Sequence, residues 1–281
     1  MRNKATRATM ATLLRHARYE VLPTPSTEDK VLASVPTDRT ITVTASPGKG
    51  LEATFALAES LAGSGYQVVP HLAARMISGR TELAEICDRL VSHGISSVFV
   101  PGGDADPAGD YQDALALLED LTALGSPFAQ VGITGYPESH PTIHDDLTIQ
   151  AMWDKRRHAS QVVSNLSFDP SAITAWLGRM RARGITLPLL LGIPGPVERT
   201  KLLAMATKIG VGESTRFLAK HKGTFARLAA PGGFTGESFL EKCAPALAPP
   251  EALVEGLHVF TFNQIAESEQ WRTQLLERLE S

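Results

Sequence analysis

Short runs of aliphatic and β-branched residues recur along this chain, and between them apolar residues return every three or four positions. The first pattern belongs to strands, the second to helices with one buried face. Strands are predicted at Arg18–Leu22, Thr40–Ala45, Gln67–Leu72, Ser96–Pro101, Gln130–Thr134, Gln161–Leu166, Pro188–Ile193 and Leu257–Phe262. Amphipathic helices are predicted at Leu51–Ala62, Thr81–Ser92, Tyr111–Leu124, Asp145–Ala159 and Ser171–Arg183. Eight strands, most of them followed by a helix, call for parallel pairing through right-handed crossovers. Their number and spacing predict an α/β fold, a (β/α)8 TIM barrel forming a single domain over residues 1–281. A doubly wound open sheet is the alternative, but no Gly-x-Gly-x-x-Gly turn follows the first strand. Two stretches break the rhythm. Residues 1–17 are expected as an N-terminal extension, either a helix covering the barrel's bottom or a partly disordered arm. Residues 201–246 are expected as an irregular helical insertion, two or more helices joined near Pro231-Gly232-Gly233, serving as a lid or as packing.

Composition narrows the class without naming a function. The 281 residues are 43% hydrophobic and 20% charged, enough apolar material for a large core. A net charge of −3 and the lack of a long basic run give no reason to expect a nucleic-acid partner. The basic start (Arg2, Lys4, Arg7, Arg15) is not followed by an apolar segment of signal-peptide length, and no run is long enough to cross a bilayer. A cytoplasmic protein with no membrane partner is expected. Cys87 and Cys243 lie far apart in helical segments, which suits neither a disulfide framework nor a metal site.

The chemistry-bearing residues collect where predicted strands end, the place where α/β barrels hold their active groups. The tract Gly135-Tyr136-Pro137-Glu138-Ser139-His140-Pro141 follows the fifth strand; alone, it reads first as a turn stiffened by its prolines. Glu20 closes an otherwise apolar strand, and desolvation there would raise its pKa toward a general acid's working range; the bland reading is an exposed glutamate. Asp104 follows Gly102-Gly103, a pair that permits close backbone approach to a ligand, or it is a turn aspartate bonding to its own backbone. Asn165 ends the sixth strand and competes with a helix-capping role over Asp169–Ser171. His71, taken alone, reads as a satisfied core histidine. His140, His144, Asp145 and Asp146 resemble a metal cluster, but they mix a turn with a helix start, where carboxylates serve as N-caps; no metal site is expected. Ser46-Pro47-Gly48-Lys49-Gly50 lacks P-loop spacing, Met152 and Trp153 read as core, and no strand ends in the lysine that an aldolase would need.

Taken together, these strand ends resemble the methylenetetrahydrofolate reductase family. Gly135 to Pro141 is similar to its Gly-Tyr-Pro-Glu-x-His-Pro signature, and Tyr19-Glu20-Val21-Leu22-Pro23 to its opening aromatic-Glu-x-x-Pro strand. His71-Leu72, Gly103-Asp104, Ser164 to Asp169, Pro188 to Pro196 and Phe260-Thr261-Phe262-Asn263 resemble further family tracts in the family's order. The resemblance implies that Glu20 is the acid opening the substrate's imidazolidine ring and that Asp104 favours the cationic intermediate. It implies that Asn165 and Phe168 contact the folate, and that Thr44, His71, Tyr136 and His140 line the hydride donor's site. It implies a role in one-carbon metabolism and methionine biosynthesis.

Three departures fall on the family's flavin site. The Arg of its Arg-Gly-Asp is Gly102 here, and Asp154 stands where the family carries a phosphate-binding Lys, with Lys155 adjacent. The loop after the second strand becomes Thr44-Ala45-Ser46-Pro47-Gly48. Phosphate needs charge-assisted partners, so the losses point to NADH or NADPH as direct hydride donor, with FAD doubtful. The rivals are an ordinary FAD-dependent reductase and a catalytically silent folate-binding barrel.

Overall fold

A computed structural model of the protein describes residues 4–140, 143–196 and 235–281. Eight parallel strands run in the order β3-β2-β1-β8-β7-β6-β5-β4: β1 Ala17–Val21, β2 Thr40–Val43, β3 Gln67–Pro70, β4 Ser97–Val100, β5 Gln130–Gly135, β6 Gln161–Ser164, β7 Leu189–Pro194 and β8 Val254–Phe260. An isolated parallel bridge between His71 and Phe99 joins the two edges, so the sheet is a nearly closed (β/α)8 barrel. The helices among the described residues are α1 Lys4–Arg15, α2 Thr27–Ser34, α3 Gly50–Gly63, α4 Arg80–Ser92, α5 Ala114–Ala123, α6 Asp145–Lys155, α7 Pro170–Ala182, α8 Gly236–Leu247 and α9 Ile265–Glu280. Every predicted strand is present, most of them a residue or two shorter at one end. The final residues leave the ladder and turn toward the mouth.

Alternation along the strands separates two cores. Outward-facing Tyr19, Val21, Ile41, Val43, Val98 and Val100 join the helices in one continuous cluster. Tyr19 also donates its hydroxyl to Glu269, which pairs with Arg272 at 2.6 Å, pinning β1 to α9. Inside the barrel the apolar cluster is small, Val69, Phe99 and Val163. The remaining buried inward positions include polar Arg18, Thr42, Gln161 and His258. Parallel barrels usually fill this space with branched apolar side chains, so a polar lumen marks an exception.

Several expectations are corrected. The first residues form a helix, α1, and its end, Thr12 and Arg15 with His16, makes one wall of an open cavity of about 660 Å³ among the strand starts. The helix predicted from Tyr111 begins at Ala114, because Asp113 accepts from the Leu115 and Ala116 N–H groups and caps it. The helix predicted to Ala159 ends at Lys155, where Arg156 folds back to stack over the Trp153 ring, 3.3 Å from its centroid. Its N-cap is His144 rather than a carboxylate; Asp145 and Asp146 occupy the first turn, where their charge complements the helix dipole. Helices α2 and α9 are not among the predicted helices. Of the 201–246 insertion only α8 belongs to the described residues; the turn near Pro231-Gly232-Gly233 lies outside them.

Candidate active site

All eight sequence-nominated residues lie at or beyond the C-terminal ends of strands: Glu20 on β1, Thr44 after β2, His71 after β3, Asp104 after β4, Tyr136 and His140 after β5, Asn165 and Phe168 after β6. They share one end of the barrel.

Glu20 is the centre of the arrangement. Its register partners are Thr42 on β2 and Phe260 on β8, and Thr261 Oγ1 donates to its backbone carbonyl at 2.6 Å. The carboxyl points into the lumen and is only 16% exposed. His258 Nε2 stands 2.9 Å from Oε2 and His71 Nε2 stands 3.6 Å from the same oxygen. Behind His258, Arg18 Nε donates to Nδ1 at 3.0 Å, and Arg18 Nη1 reaches Gln161 Oε1 at 3.4 Å. Burial raises the Glu20 pKa, with the cationic forms of His71 and Arg18 pulling against it. Burial lowers His71 to about 4 and holds His258 well below the usual imidazole value, so both rings are neutral near pH 7. A carboxyl with a raised pKa beside neutral imidazoles suits a proton donor.

The turn after β5 is held by its own residues. Gly135 packs under Trp176, where a Cβ would come within 2.5 Å of the ring. The Tyr136 and His140 rings meet edge to face with centroids 4.8 Å apart, and His140 Nδ1 accepts from the Ile143 N–H at 3.2 Å. Burial raises the Tyr136 hydroxyl pKa, and the Asp104 charge raises it further. Glu138 accepts from the Phe168 N–H and, at 2.7 Å, from the Asp169 N–H. The glutamate of the signature tract thus locks the loop that presents Phe168.

Two nominated residues are less engaged. Asp104 is exposed, and among the described residues no hydrogen bond or ion pair joins it to Glu20. Its loop depends on Gly103, at φ +83°, where a Cβ would lie 3.1 Å from Ala73 Cβ. Asn165 turns its Oδ1 to the adjacent Leu166 N–H at 2.8 Å, and the cap of α7 is Asp169 rather than Asn165. Asn263, in contrast, ties β8 to β1 through Leu22 N at 2.8 Å and Leu22 O at 3.1 Å, a structural clamp.

For a hydride donor, the mouth offers Thr44 Oγ1 and His71 Nε2, buried polar atoms without hydrogen-bond partners among the described residues. Such atoms fit the polar edge of a nicotinamide or a flavin ring. The phosphates fare differently. Lys49 is committed to Pro23 O at 2.6 Å and Arg75 to Ala105 O at 2.8 Å, while Asp154 accepts from Gln150 at 2.9 Å. The site therefore fits a ring better than it fits a pyrophosphate, as far as the described residues go. Among those residues, no group of three or more His, Cys, Asp or Glu could hold a metal ion, and no helix is long and apolar enough to cross a membrane.

Sequence reasoning missed Arg18 and His258. The signal was present in the alternation: each lies two residues before the end of its strand's inward face, Glu20 on β1 and Phe260 on β8, and so shares that face. Comparison with known proteins gives the context. A putative lyase/mutase from Burkholderia cenocepacia J2315 aligns over 96% of this chain and 86% of its own, at 14% identity and a TM-score of 0.49. An endo-beta-N-acetylglucosaminidase from Cordyceps militaris aligns over 98% and 95%, at 11% identity and a TM-score of 0.52; that likeness shows the fold alone. The family model for methylenetetrahydrofolate reductase matches residues 27–275, a span holding every nominated mouth position but Glu20. The chain belongs to the methylenetetrahydrofolate reductase family.

Proposed function

We propose that this protein reduces 5,10-methylenetetrahydrofolate to 5-methyltetrahydrofolate, taking hydride directly from NADH or NADPH without a bound flavin. The observation that carries the reading is Glu20: a carboxyl at a strand's end, shielded in the lumen, with its pKa raised by burial. Glu20 protonates a ring nitrogen of the imidazolidine, and the adjacent C–N bond opens to leave an iminium cation. Asp104 supplies negative charge toward that cation, and Tyr136 lies within its field. Phe168, on the loop clamped by Glu138, and Asn165 orient the folate. Thr44, His71 and the Tyr136–His140 turn would hold the ring of a reduced nicotinamide, which would supply the hydride for the iminium carbon.

Flavin independence rests on Gly102, Asp154 and the rebuilt Ala45–Gly48 loop, the three departures at the positions of the family's flavin site. The visible spectrum of the purified protein tests it, followed by NADH oxidation with methylenetetrahydrofolate. A colourless protein, active with NADH and not stimulated by FAD, is expected. Deuterium from stereospecifically labelled NADH should reach the product methyl group without loss to solvent. A yellow protein with tightly bound FAD, or label washed out into water, would place the enzyme in the flavin-dependent class. Folate binding without turnover would make it a silent barrel.

A further inference from the structure

Arg18, His258 and Glu20 form a continuous buried chain through the barrel axis, and it has a direction. An arginine has no acceptor, so Nε at 3.0 Å must donate to His258 Nδ1. A neutral imidazole that accepts at Nδ1 carries its hydrogen on Nε2. Nε2 faces Glu20 Oε2 at 2.9 Å, so His258 is a donor to that oxygen. A carboxyl oxygen that accepts this hydrogen bond is the wrong place for the acid's own proton.

We infer that Arg18 and His258 are positioning residues that reserve Oε2 of Glu20 as an acceptor and so place the transferable proton on Oε1. The inference rests on the reading of Glu20 as the acid. When the Oε1–H bond breaks, the proton forms an N–H bond on the folate ring nitrogen and the electron pair stays on Oε1. The new carboxylate then meets a hydrogen-bond donor already in place at Oε2, with the Arg18 charge behind it. Burial alone would favour a proton that never leaves; the donor offsets that cost in the ionised state. Without Arg18 the imidazole could present a bare Nε2, and Glu20 would then give its proton to His258 rather than to folate. The charged or titratable groups facing this carboxyl among the described residues are His258 from β8, His71 after β3, and Arg18 from its own strand.

The test compares His258→Leu, His258→Gln and Arg18→Met with the parent enzyme over pH, alongside Glu20→Gln. Loss of the donor destabilises the ionised carboxyl more than the neutral acid, so the alkaline limb of kcat should move to higher pH. The plateau should fall on the order of tenfold, while the folate KM stays within about threefold. His258→Gln keeps an acceptor for Arg18 and a donor for Oε2 and should recover both limb and plateau. Arg18→Met should move the limb as His258→Leu does. A folded His258→Leu with the parent's limb and plateau would overturn the proposal. Full turnover in Glu20→Gln would instead overturn the acid assignment itself, whatever His258 does. Should the variants fail to fold, nitrogen-15 NMR of the parent protein decides. A neutral His258 with hydrogen on Nε2 between pH 6 and 9 (a range of roughly one pKa unit or more around neutrality) is expected; the other tautomer, or an imidazolium, would overturn the proposal.

Discussion

At the scale of single residues, Glu20 dominates expectation. Glu20→Gln keeps the side chain's size and removes the proton, so turnover should fall about 10²- to 10⁴-fold with folate binding retained; equilibrium binding beside steady-state kinetics checks this. Turnover should decline as pH rises through the Glu20 pKa, because the protonated form is the active one. Stability follows the same sign. Burial lifts the folded-state value above the ordinary 4.5, so Glu20 favours folding below that pH and the advantage is lost as pH rises through the raised value. Glu20→Gln is thus expected to resist denaturant better than the parent at alkaline pH, which urea titrations at two pH values can measure. Asp104→Asn is expected to do less. The side chain is exposed before folate covers it, so a fall of about tenfold in kcat, growing at low salt, suits a partly screened charge. Equal losses in the Asp104 and Glu20 variants would show that Asp104 acts in a drier place.

At the scale of elements, the signature turn after β5 exists to hold the loop after β6. Glu138→Ala leaves the Phe168 and Asp169 N–H groups without their carboxylate, an expected cost of about 1–3 kcal/mol. The folate KM should rise more than kcat falls, because Phe168 moves while Glu20 does not; thermal unfolding and substrate titration separate the two effects. Periodicity made this architecture legible: eight short apolar runs placed eight strands, and the strand ends nominated the mouth. It could not place α5's start, which the Asp113 cap decides, or α6's end, where Arg156 stacks on Trp153. Capping and stacking are contacts between particular atoms, invisible to a pattern of apolar positions.

At the scale of the whole molecule, the barrel has one weak seam and one strong strut. The β3 and β4 edges meet through an isolated bridge between His71 and Phe99, whereas β7 and β8 pair along their length. Amides at the seam, Leu72 among them, should exchange hydrogen before those of β7 and β8, and exchange measured by mass spectrometry or NMR checks this. The strut is the buried Glu269–Arg272 pair that receives the Tyr19 hydroxyl. Arg272→Ala strands a buried carboxylate and should destabilise the protein by about 3–5 kcal/mol. A loss below about 1 kcal/mol, as for a solvent-exposed pair, would mean that water reaches Glu269.

By itself, the sequence determined the alternation of strand and helix, the end of the barrel where the nominated side chains gather, and the place of Glu20 at the end of the first strand. These follow from local chemistry: periodicity sets which face is buried, and a polar residue at the end of an apolar strand must face something polar. Tertiary structure alone decided what that something is. Arg18 and His258 are 240 residues apart in the chain, and only closure of the barrel puts β8 beside β1. It likewise made the Glu of the signature tract a clamp, because its partners lie on the next loop. Hydrogen-bond direction, and with it the tautomer of His258, depends on atoms meeting across strands, which no one-dimensional pattern records.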